Sequence, residues 1–254
     1  MRRSFFITGT DTGVGKTNIA AGIARALKKK GIDVGVMKPV ETGCPVRHGR
    51  LIPSDALALK EASGADDHID LINPYRFRSP IAPSAASRFS GVRGVRGVRI
   101  DLGKIRRAFK EICRRHDIVL VEGAGGLVTP VTAAKTMADI ALSLSIPVLI
   151  VAAQKLGAVN QTLLTIHYAR CRGIGVAGVV LNNIKRGKDL SSGTNAKEIE
   201  RLSGAKVLAE IPFVKGGVFK AALFERVSSR LMRIRQVLPR EKAVKEEVPS
   251  YIDY

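Results

Sequence analysis

The chain alternates short apolar runs with segments of helical periodicity. Apolar residues at Ile19, Ile23 and Leu27 are spaced by four, which predicts an amphipathic helix over 17–30 that ends at Gly31. Similar segments cover 159–170 and 195–202. The apolar runs lie at residues 4–8, 34–37, 117–126, 146–153, 175–184 and 205–212. Because these runs lack polar alternation, they predict strands buried on both faces, and hence an α/β fold with a doubly wound, mostly parallel sheet.

Length and composition suit a single α/β domain. The chain has 254 residues, and we expect residues 1–224 to form the domain and 225–254 to form a charged helical C-terminal extension. No run reaches 18 apolar residues, so no membrane partner is expected. Met1 to Arg3 lead straight into the first predicted strand, so we expect no signal peptide. Three scattered cysteines favour free thiols and a cytoplasmic location.

The charge is strongly basic. Lys and Arg number 42 against 22 Asp and Glu, a net charge of +20, which attracts polyanions without sequence specificity. The basic residues concentrate over 88–115, which includes three copies of the triplet GVR at 91–99. Since this segment has no aromatic residue at the triplets to stack on bases, we expect a solvated basic loop and no specific nucleic-acid partner.

Residues 8–17, TGTDTGVGKT, lie between the first apolar run and the first helix. Glycines there let backbone N–H groups surround phosphate oxygens at the positive end of a helix. Lys16 is expected to reach the β- and γ-phosphates, and the Thr17 hydroxyl to ligate Mg²⁺. The usual spacing G-x-x-x-x-G-K-[ST] would place glycine at position 10, but here position 10 is Thr10 and Gly9 comes one residue early.

Other polar residues follow predicted strands, where ligands bind in open α/β sheets. Lys38 follows the second strand and Glu122 the third, while Asn182 and Asn183 follow a later one. An unpaired carboxylate leaving a buried strand is costly, so Glu122 favours a metal-side acid. Taken alone, Lys38 is better explained as an ordinary surface lysine and Asp55 as an ordinary acid of a helix first turn. The asparagines fit a turn as well as they fit a purine-binding site.

The segments TGTDTGVGKT, KPVETG, SDALAL, VEGAGG, KLGAVNQT and the paired asparagines occur in an order that resembles dethiobiotin synthetases over residues 3–214. The resemblance implies that Lys38 and Lys16 are catalytic and that Thr17, Asp55 and Glu122 hold Mg²⁺. It implies substrate contacts by Thr42, Gly157 and Asn160. The ATP-binding residues that it implies are Gly13, Val14, Gly15, Lys16, Thr17, Asn18, Asp55, Glu122, Gly123, Ala124, Gly125, Asn182, Asn183, Pro212, Phe213 and Val214.

The resemblance also implies a reaction and an assembly. One amine of 7,8-diaminononanoate takes up CO2 as a carbamate, ATP phosphorylates the carbamate, and the second amine closes the ring of dethiobiotin. The family is homodimeric, with the substrate at the interface and its carboxylate on the helix start at 157–160 of the neighbouring subunit. Two positions depart from the family pattern: Gly13 replaces a common glutamate and Ser84 a common histidine.

Three other classes remain as alternatives. An amidating ligase of the cobyrinic acid diamide synthase kind carries a glutaminase domain, for which this length leaves no room. A partitioning ATPase of the ParA or MinD class would suit the basic charge, but carries an additional lysine early in the loop, and residues 8–15 have none. A pure nucleic-acid binder would leave Lys38 and Glu122 without a role.

Overall fold

The computed structural model describes residues 3–89, 97–187, 190–213 and 221–234. Its strands are β1 (Arg3–Gly9), β2 (Val34–Met37), β3 (Val40–Thr42), β4 (Val46–Arg47), β5 (Arg50–Leu51), β6 (Tyr75–Phe77), β7 (Ile118–Glu122), β8 (Val148–Ala153), β9 (Val176–Asn182) and β10 (Val207–Ile211). Its α-helices are α1 (Lys16–Lys29), α2 (Ser54–Ser63), α3 (Ile69–Ile72), α4 (Pro83–Ala86), α5 (Leu102–Arg115), α6 (Met137–Leu144), α7 (Ala158–Cys171), α8 (Asn195–Ser203) and α9 (Ala221–Arg233). A 3₁₀ turn covers Leu190–Gly193.

Six strands form one parallel sheet in the order β10-β9-β8-β1-β7-β2. The predicted α/β fold with a parallel sheet is confirmed. Two small pairs lie outside it, a parallel pair of β3 with β6 and an antiparallel pair of β4 with β5. These short strands, like helices α5 and α6, were not among the segments that periodicity predicted.

Successive residues of each central strand point to opposite faces, and both faces are covered. In β1, Phe5 and Ile7 pack in the cluster that contains α1, α2 and α9. Phe6, between them, packs in the other cluster, with α5, α6, α7 and α8. All three side chains are 0% exposed, which explains why the strand carries no polar alternation.

Helix α9 packs against α1 and β10 on one face of the sheet. Its Phe224 lies so close to α1 that a Cβ on Gly22 would be 2.2 Å from the ring. The predicted boundary between residues 224 and 225 falls inside this helix, so residues up to 234 pack with the sheet. Residues 235–254 of the predicted extension and the triplet residues 91–96 lie outside the described residues.

The strand order determines where ligands can bind. Strand β1 is central, with β7 on one side and β8 on the other, and the loop 10–15 leaves its carboxyl end. Crevices beyond the carboxyl ends of strands, where the winding changes direction, are the binding sites of such sheets. Across the described ranges, none of the helices is both long and apolar enough to cross a membrane.

A buried histidine lies at the opposite end of the sheet, just before the amino end of β7. His116 Nδ1 lies 2.8 Å from Asp33 Oδ1, and His116 Nε2 lies 2.7 Å from Asp67 Oδ2. Arg115 also contacts Asp67, at 3.2 Å. Burial alone would lower the pKa of His116, but its hydrogen bonds to Asp33 and Asp67 and their charges outweigh burial and raise the pKa above its usual 6.5.

This histidine should make stability depend on pH. A raised pKa in the folded state stabilises the protein below pH 6.5, and this contribution disappears as pH rises through the folded-state value. We expect His116→Gln to lose about 2 kcal/mol of unfolding free energy at pH 6, and less at pH 9. Denaturant titrations of both proteins across this range measure the difference. His68→Asn, which keeps an acceptor at the start of α3, is the control, and a difference that grows with pH would contradict the assignment.

Candidate active site

The loop after β1 has the backbone of a phosphate-binding loop. Gly13 and Gly15 have φ of 75° and 89°, the left-handed region that favours glycine, and α1 begins at the next residue, Lys16. The glycine at position 9, one residue earlier than in the usual spacing, is needed because a Cβ on Gly9 would lie 2.6 Å from the Asp11 carbonyl oxygen. The Thr10 N–H still pairs with β8, donating to Val151 O at 3.0 Å. Position 10 therefore continues the strand and requires no glycine.

Lys16 lies against this loop. Its side chain is largely buried, and its Nζ donates to the Asp11 carbonyl oxygen at 3.2 Å. Burial lowers the pKa of Lys16, and the positive charge of Lys38 lowers it further. The two lysines thus lie close enough for their charges to interact, although Lys16 begins α1 and Lys38 follows β2.

Four of the predicted residues form one hydrogen-bonded cluster. Lys38 Nζ donates to Glu122 Oε1 at 2.5 Å and to Asp55 Oδ2 at 2.7 Å. The Thr17 hydroxyl donates to the same Glu122 oxygen at 2.8 Å. The side chains of Lys38 and Glu122 are only 4% and 1% exposed, whereas that of Asp55 is 41% exposed. The cluster is therefore buried at its base and open at Asp55.

The strand pairing explains this convergence. Strands β2 and β7 are neighbours, with Met37 opposite Val121, so Lys38 and Glu122 leave the sheet side by side. Burial alone would lower the pKa of Lys38, but the charges of Glu122 and Asp55 outweigh it and hold the pKa well above its ordinary value. Lys38 is an ammonium ion throughout the physiological range.

The same residues fit a divalent cation that binds together with phosphate. Glu122 Oε2 is buried and has no hydrogen-bond partner among the described residues, so one carboxylate oxygen is available as a ligand. Carboxylate and hydroxyl oxygens are the ligands that Mg²⁺ prefers, and it normally takes the rest from phosphate and water. The described part of the chain holds no group of three His, Cys, Asp or Glu that could hold a metal ion.

The glycine-rich segment after β7 lies against the phosphate-binding loop. Gly123 N–H donates to Ile7 O at 2.9 Å, and Gly9 N–H donates to Gly125 O at 3.3 Å. A Cβ on Gly123 would lie 2.7 Å from the Phe6 ring, so this close approach requires glycine. Ala124, between the two glycines, is half-buried.

A cavity of about 390 Å³ adjoins the loop. It brings together eight of the sixteen predicted ATP-binding residues. Those that line it are Gly13, Gly15, Thr17, Asn18, Asn182, Asn183, Pro212 and Phe213, beside the unpredicted Arg25, Ala58, Ile184 and Phe224. Val14 is buried beneath the loop, and Val214 lies outside the described residues.

The two asparagines differ in their surroundings. Asn182 is buried, and its Nδ2 donates to the Val14 carbonyl oxygen at 2.9 Å, so this amide supports the phosphate-binding loop. The same Nδ2 would lie 2.3 Å from a Cβ on Gly15. Asn183 is half-buried, and its N–H pairs with Ile211 O at 2.8 Å. Both still line the cavity, as expected.

The predicted substrate residues are more dispersed. Thr42 ends β3, in register with Phe77 of β6, and is half-buried. Gly157 precedes α7 with φ of 88° and, like Asn160 in its first turn, is exposed. Neither Gly157 nor Asn160 is among the residues that line the described nucleotide-side cavity.

The two departures from the family pattern have different settings. Gly13 has open space, since a Cβ there would meet nothing within 4 Å. Ser84 is buried and its N–H donates to Pro130 O at 3.0 Å. It lies in α4, at the edge of a second cavity that also includes Lys135.

Two residues near the cluster were missed by sequence reasoning. Glu41 accepts hydrogen bonds from the first turn of α2. Asn73 Nδ2 donates to the Lys38 carbonyl oxygen at 2.7 Å. The presence of a glutamate within the KPVETG segment was the sequence signal that could have pointed to Glu41, whereas no local pattern marks Asn73.

Comparison with known proteins agrees with this geometry. A family model described as an AAA domain matches residues 3–217. The ATP-dependent dethiobiotin synthetase BioD of Anaeromyxobacter dehalogenans (strain 2CP-C) is 44% identical over 211 residues, covering 83% of this chain and 90% of the relative. The chain belongs to the dethiobiotin synthetase family. Synthetases of the same name from Bacillus cereus (strain G9842) and Thermodesulfovibrio yellowstonii are 38% and 35% identical, covering 90% and 84% of this chain and 90% of each relative.

Similar solved structures include proteins from one of the alternative classes. The MinC:MinD cell division protein complex of Aquifex aeolicus has a TM-score of 0.56 at 21% identity, covering 91% of this chain and 96% of that one. A ParA family ATPase from Chlorobium tepidum has a TM-score of 0.53 at 16% identity, covering 92% and 100%. At these identities the likeness shows the shared P-loop fold alone.

The contact between Gly15 and Asn182 yields a test of the loop. Gly15→Ala should weaken ATP binding at least tenfold, since the new methyl group displaces the Asn182 amide from the loop carbonyl. Gly31→Ala is the control, because Gly31 has φ of 75° but open space around it. Both variants should lose about 1 kcal/mol of stability to left-handed backbone strain. Calorimetric titration with ATP measures affinity, and wild-type affinity in Gly15→Ala would refute the role given to this contact.

Proposed function

We propose that this protein is an ATP- and Mg²⁺-dependent dethiobiotin synthase, a cyclo-ligase that converts 7,8-diaminononanoate and CO2 to dethiobiotin in biotin biosynthesis. The observation that carries the proposal is the buried ammonium of Lys38, held between Glu122 and Asp55 beside Thr17 of the phosphate-binding loop. The relatives named above are synthetases of this kind and match most of the chain.

The nucleotide is held by backbone and side-chain groups of the loop. N–H groups of residues 13–18 bind its phosphates at the positive end of α1, and Lys16 turns from the Asp11 carbonyl oxygen to the β- and γ-phosphates. The adenine occupies the cavity beside Asn183, Pro212 and Phe213, whose ring is 39% exposed. Residues 122–125 face the phosphates from the other side.

Thr17, Asp55 and Glu122 are the residues that would hold a Mg²⁺ ion, and such an ion would supply positive charge to offset the charge that develops on the transferring phosphoryl group. The Thr17 hydroxyl and Glu122 already contact each other, and Asp55 is exposed to the open side of the cluster, so only short side-chain movements are needed.

The acceptor is a carbamate anion, formed when one amine of the diamine attacks CO2 and loses a proton. A carbamate oxygen attacks the γ-phosphorus and ADP leaves, which produces a carbamic–phosphoric anhydride. The second amine attacks the carbonyl carbon of this anhydride, and phosphate leaves as the ring closes. Two anions must approach each other in the first transfer, so the cationic Lys16 and Lys38 stabilise its transition state. Thr42 lies on the same segment as Lys38 and contacts the diamine.

The homodimer that we propose completes the substrate site. Val128 and Leu164, which line a cavity beside the phosphate-binding loop, are 61% and 60% exposed, and Leu156, next to Gly157 in the chain, is 80% exposed. A cavity of about 580 Å³ separates the phosphate-binding loop from α7, with Leu164 and Val128 in its lining. A second copy of the chain covers these residues and brings Gly157 and Asn160 to the carboxylate of the diamine.

The remaining expectations are a cytoplasmic location and no specific nucleic-acid or membrane partner. Of the three cysteines, Cys44 is buried, Cys113 half-buried and Cys171 exposed, and none of the three forms a disulfide, as suits a reducing compartment. The basic surface attracts polyanions only through charge, so any binding to DNA should weaken steeply with added salt.

The first test of the proposal is the coupling of ATP turnover to both co-substrates. ADP release should require the diamine and bicarbonate together, because the acceptor exists only when the diamine has taken up CO2. Release is measured by a coupled assay with each component omitted in turn. Equal release with and without the diamine would favour a switch-type ATPase of the ParA or MinD class instead.

Lys38 should act on the chemical step more than on ATP binding. A charge positioned for the transition state is worth about 3 kcal/mol, so Lys38→Ala should lower kcat roughly a hundredfold. Lys38→Arg should restore kcat only partly, since the planar guanidinium of arginine does not replace a compact ammonium between two carboxylates. Lys29→Ala, at an exposed lysine of α1, is the control. Near-normal kcat in Lys38→Ala with only weaker ATP binding would show the assigned role to be wrong.

A further inference from the structure

Helix α2 begins without a cap of its own. The first N–H groups of a helix lack intrahelical partners and need acceptors from elsewhere. The residue at the N-cap position, Pro53, has no side chain that accepts a hydrogen bond. The acceptor comes instead from Glu41 in β3, whose Oε1 accepts from Asp55 N–H at 2.9 Å and whose Oε2 accepts from Ala56 N–H at 3.0 Å.

The Glu41 carboxylate that caps α2 is buried, and both of its oxygens accept hydrogen bonds. Glu41 is 4% exposed, and each of its two oxygens accepts one of the two N–H groups. A buried acid is costly unless it is fully paired, so such a glutamate needs a structural or functional reason. Its strand position is fixed by pairing of β3 with β6, where Glu41 is in register with Arg76.

The capped residue belongs to the proposed active site. The N–H of Asp55 binds Glu41, while its carboxylate Oδ2 binds Lys38 Nζ at 2.7 Å. Lys38 and Glu41 are separated by only two residues along the chain, so one short segment supplies both the lysine and the cap. The position of the Asp55 carboxylate, which is 41% exposed, depends on where this first turn lies.

We propose that Glu41 is a positioning residue of the reaction: it fixes the first turn of α2 and thereby holds the Asp55 carboxylate beside Lys38 and the nucleotide-bound Mg²⁺. The inference rests on the function proposed above for Asp55. It goes further because Glu41 touches neither nucleotide nor substrate, and acts only through two backbone N–H groups.

The test compares Glu41→Gln with a control on the same helix. A glutamine keeps the volume but turns an NH2 group toward one of the two N–H donors, so one hydrogen bond is lost. Glu61→Gln, near the other end of α2 and 80% exposed, removes a charge without touching the first turn. In ligand-free protein, amide hydrogen exchange at Asp55 and Ala56 should accelerate at least tenfold in Glu41→Gln and remain unchanged in Glu61→Gln.

The functional readout is the dependence on Mg²⁺. Glu41→Gln should raise the Mg²⁺ concentration for half-maximal MgATP binding roughly tenfold, with metal-free ATP binding unchanged, and should lower kcat with little change in KM for the diamine. Binding and exchange are measured without the diamine, so they remain informative even if the proposed reaction is wrong. Unchanged Mg²⁺ dependence together with accelerated exchange would show that Glu41 only stabilises the helix and would overturn the proposal.

A second variant separates the cap from other effects of Glu41. Adding Pro53→Ser to Glu41→Gln places a hydroxyl at the N-cap, where serine accepts from the N–H of residue 55 or 56. The double variant should recover slow exchange at Asp55 and most of the Mg²⁺ affinity. Recovery of slow exchange without recovery of Mg²⁺ affinity would contradict the view that Glu41 acts through the cap.

Discussion

The active site depends on one buried ion cluster, in which the Lys38 ammonium lies between the carboxylates of Glu122 and Asp55. A lysine that is 4% exposed would normally lose its charge, but these two acids keep it cationic. Glu122 in turn is compensated by Lys38 and by the Thr17 hydroxyl. Removal of Lys38 would leave the buried carboxylate of Glu122 without the cation that contacts it, whereas removal of Asp55 would still leave Lys38 paired with Glu122.

The fold brings these segments together through strand order. Strand β7 lies between β1 and β2, so the acid at its end is flanked by the phosphate-binding loop on one side and by Lys38 on the other. The close approach of Gly123 to Phe6 and of Gly9 to Asp11 lets the two loops lie against each other. At this end of the sheet Lys38 and Glu122 are buried, whereas the Asp55 carboxylate is exposed on the open side of the cluster.

Sequence patterns predicted most of the fold, because strands buried on both faces have a distinctive composition. Glu122 was favoured as a functional acid because it follows such a strand, whereas Lys38 and Asp55 were assigned to the site only through the family resemblance. The direct contact between Lys38 and Glu122 was not predictable, since it depends on β2 pairing with β7 across about eighty residues of chain. Glu41 was missed because its partners are backbone groups of another element. The amide of Asn182 was assigned to the nucleotide, whereas it also supports the loop through Val14, a contact that only the absence of a Cβ at Gly15 permits.

The central claim is that this cluster serves phosphoryl transfer to a carbamate, and the path of oxygen tests it most directly. If a carbamate oxygen attacks ATP, one oxygen from CO2 becomes the bridging atom of the anhydride and leaves in phosphate when the ring closes. A reaction with the diamine, ATP and freshly added C¹⁸O2, analysed by mass spectrometry before the label exchanges with water, should yield phosphate that carries one ¹⁸O atom. Phosphate whose new oxygen comes only from water would show hydrolysis of ATP, and would contradict the account.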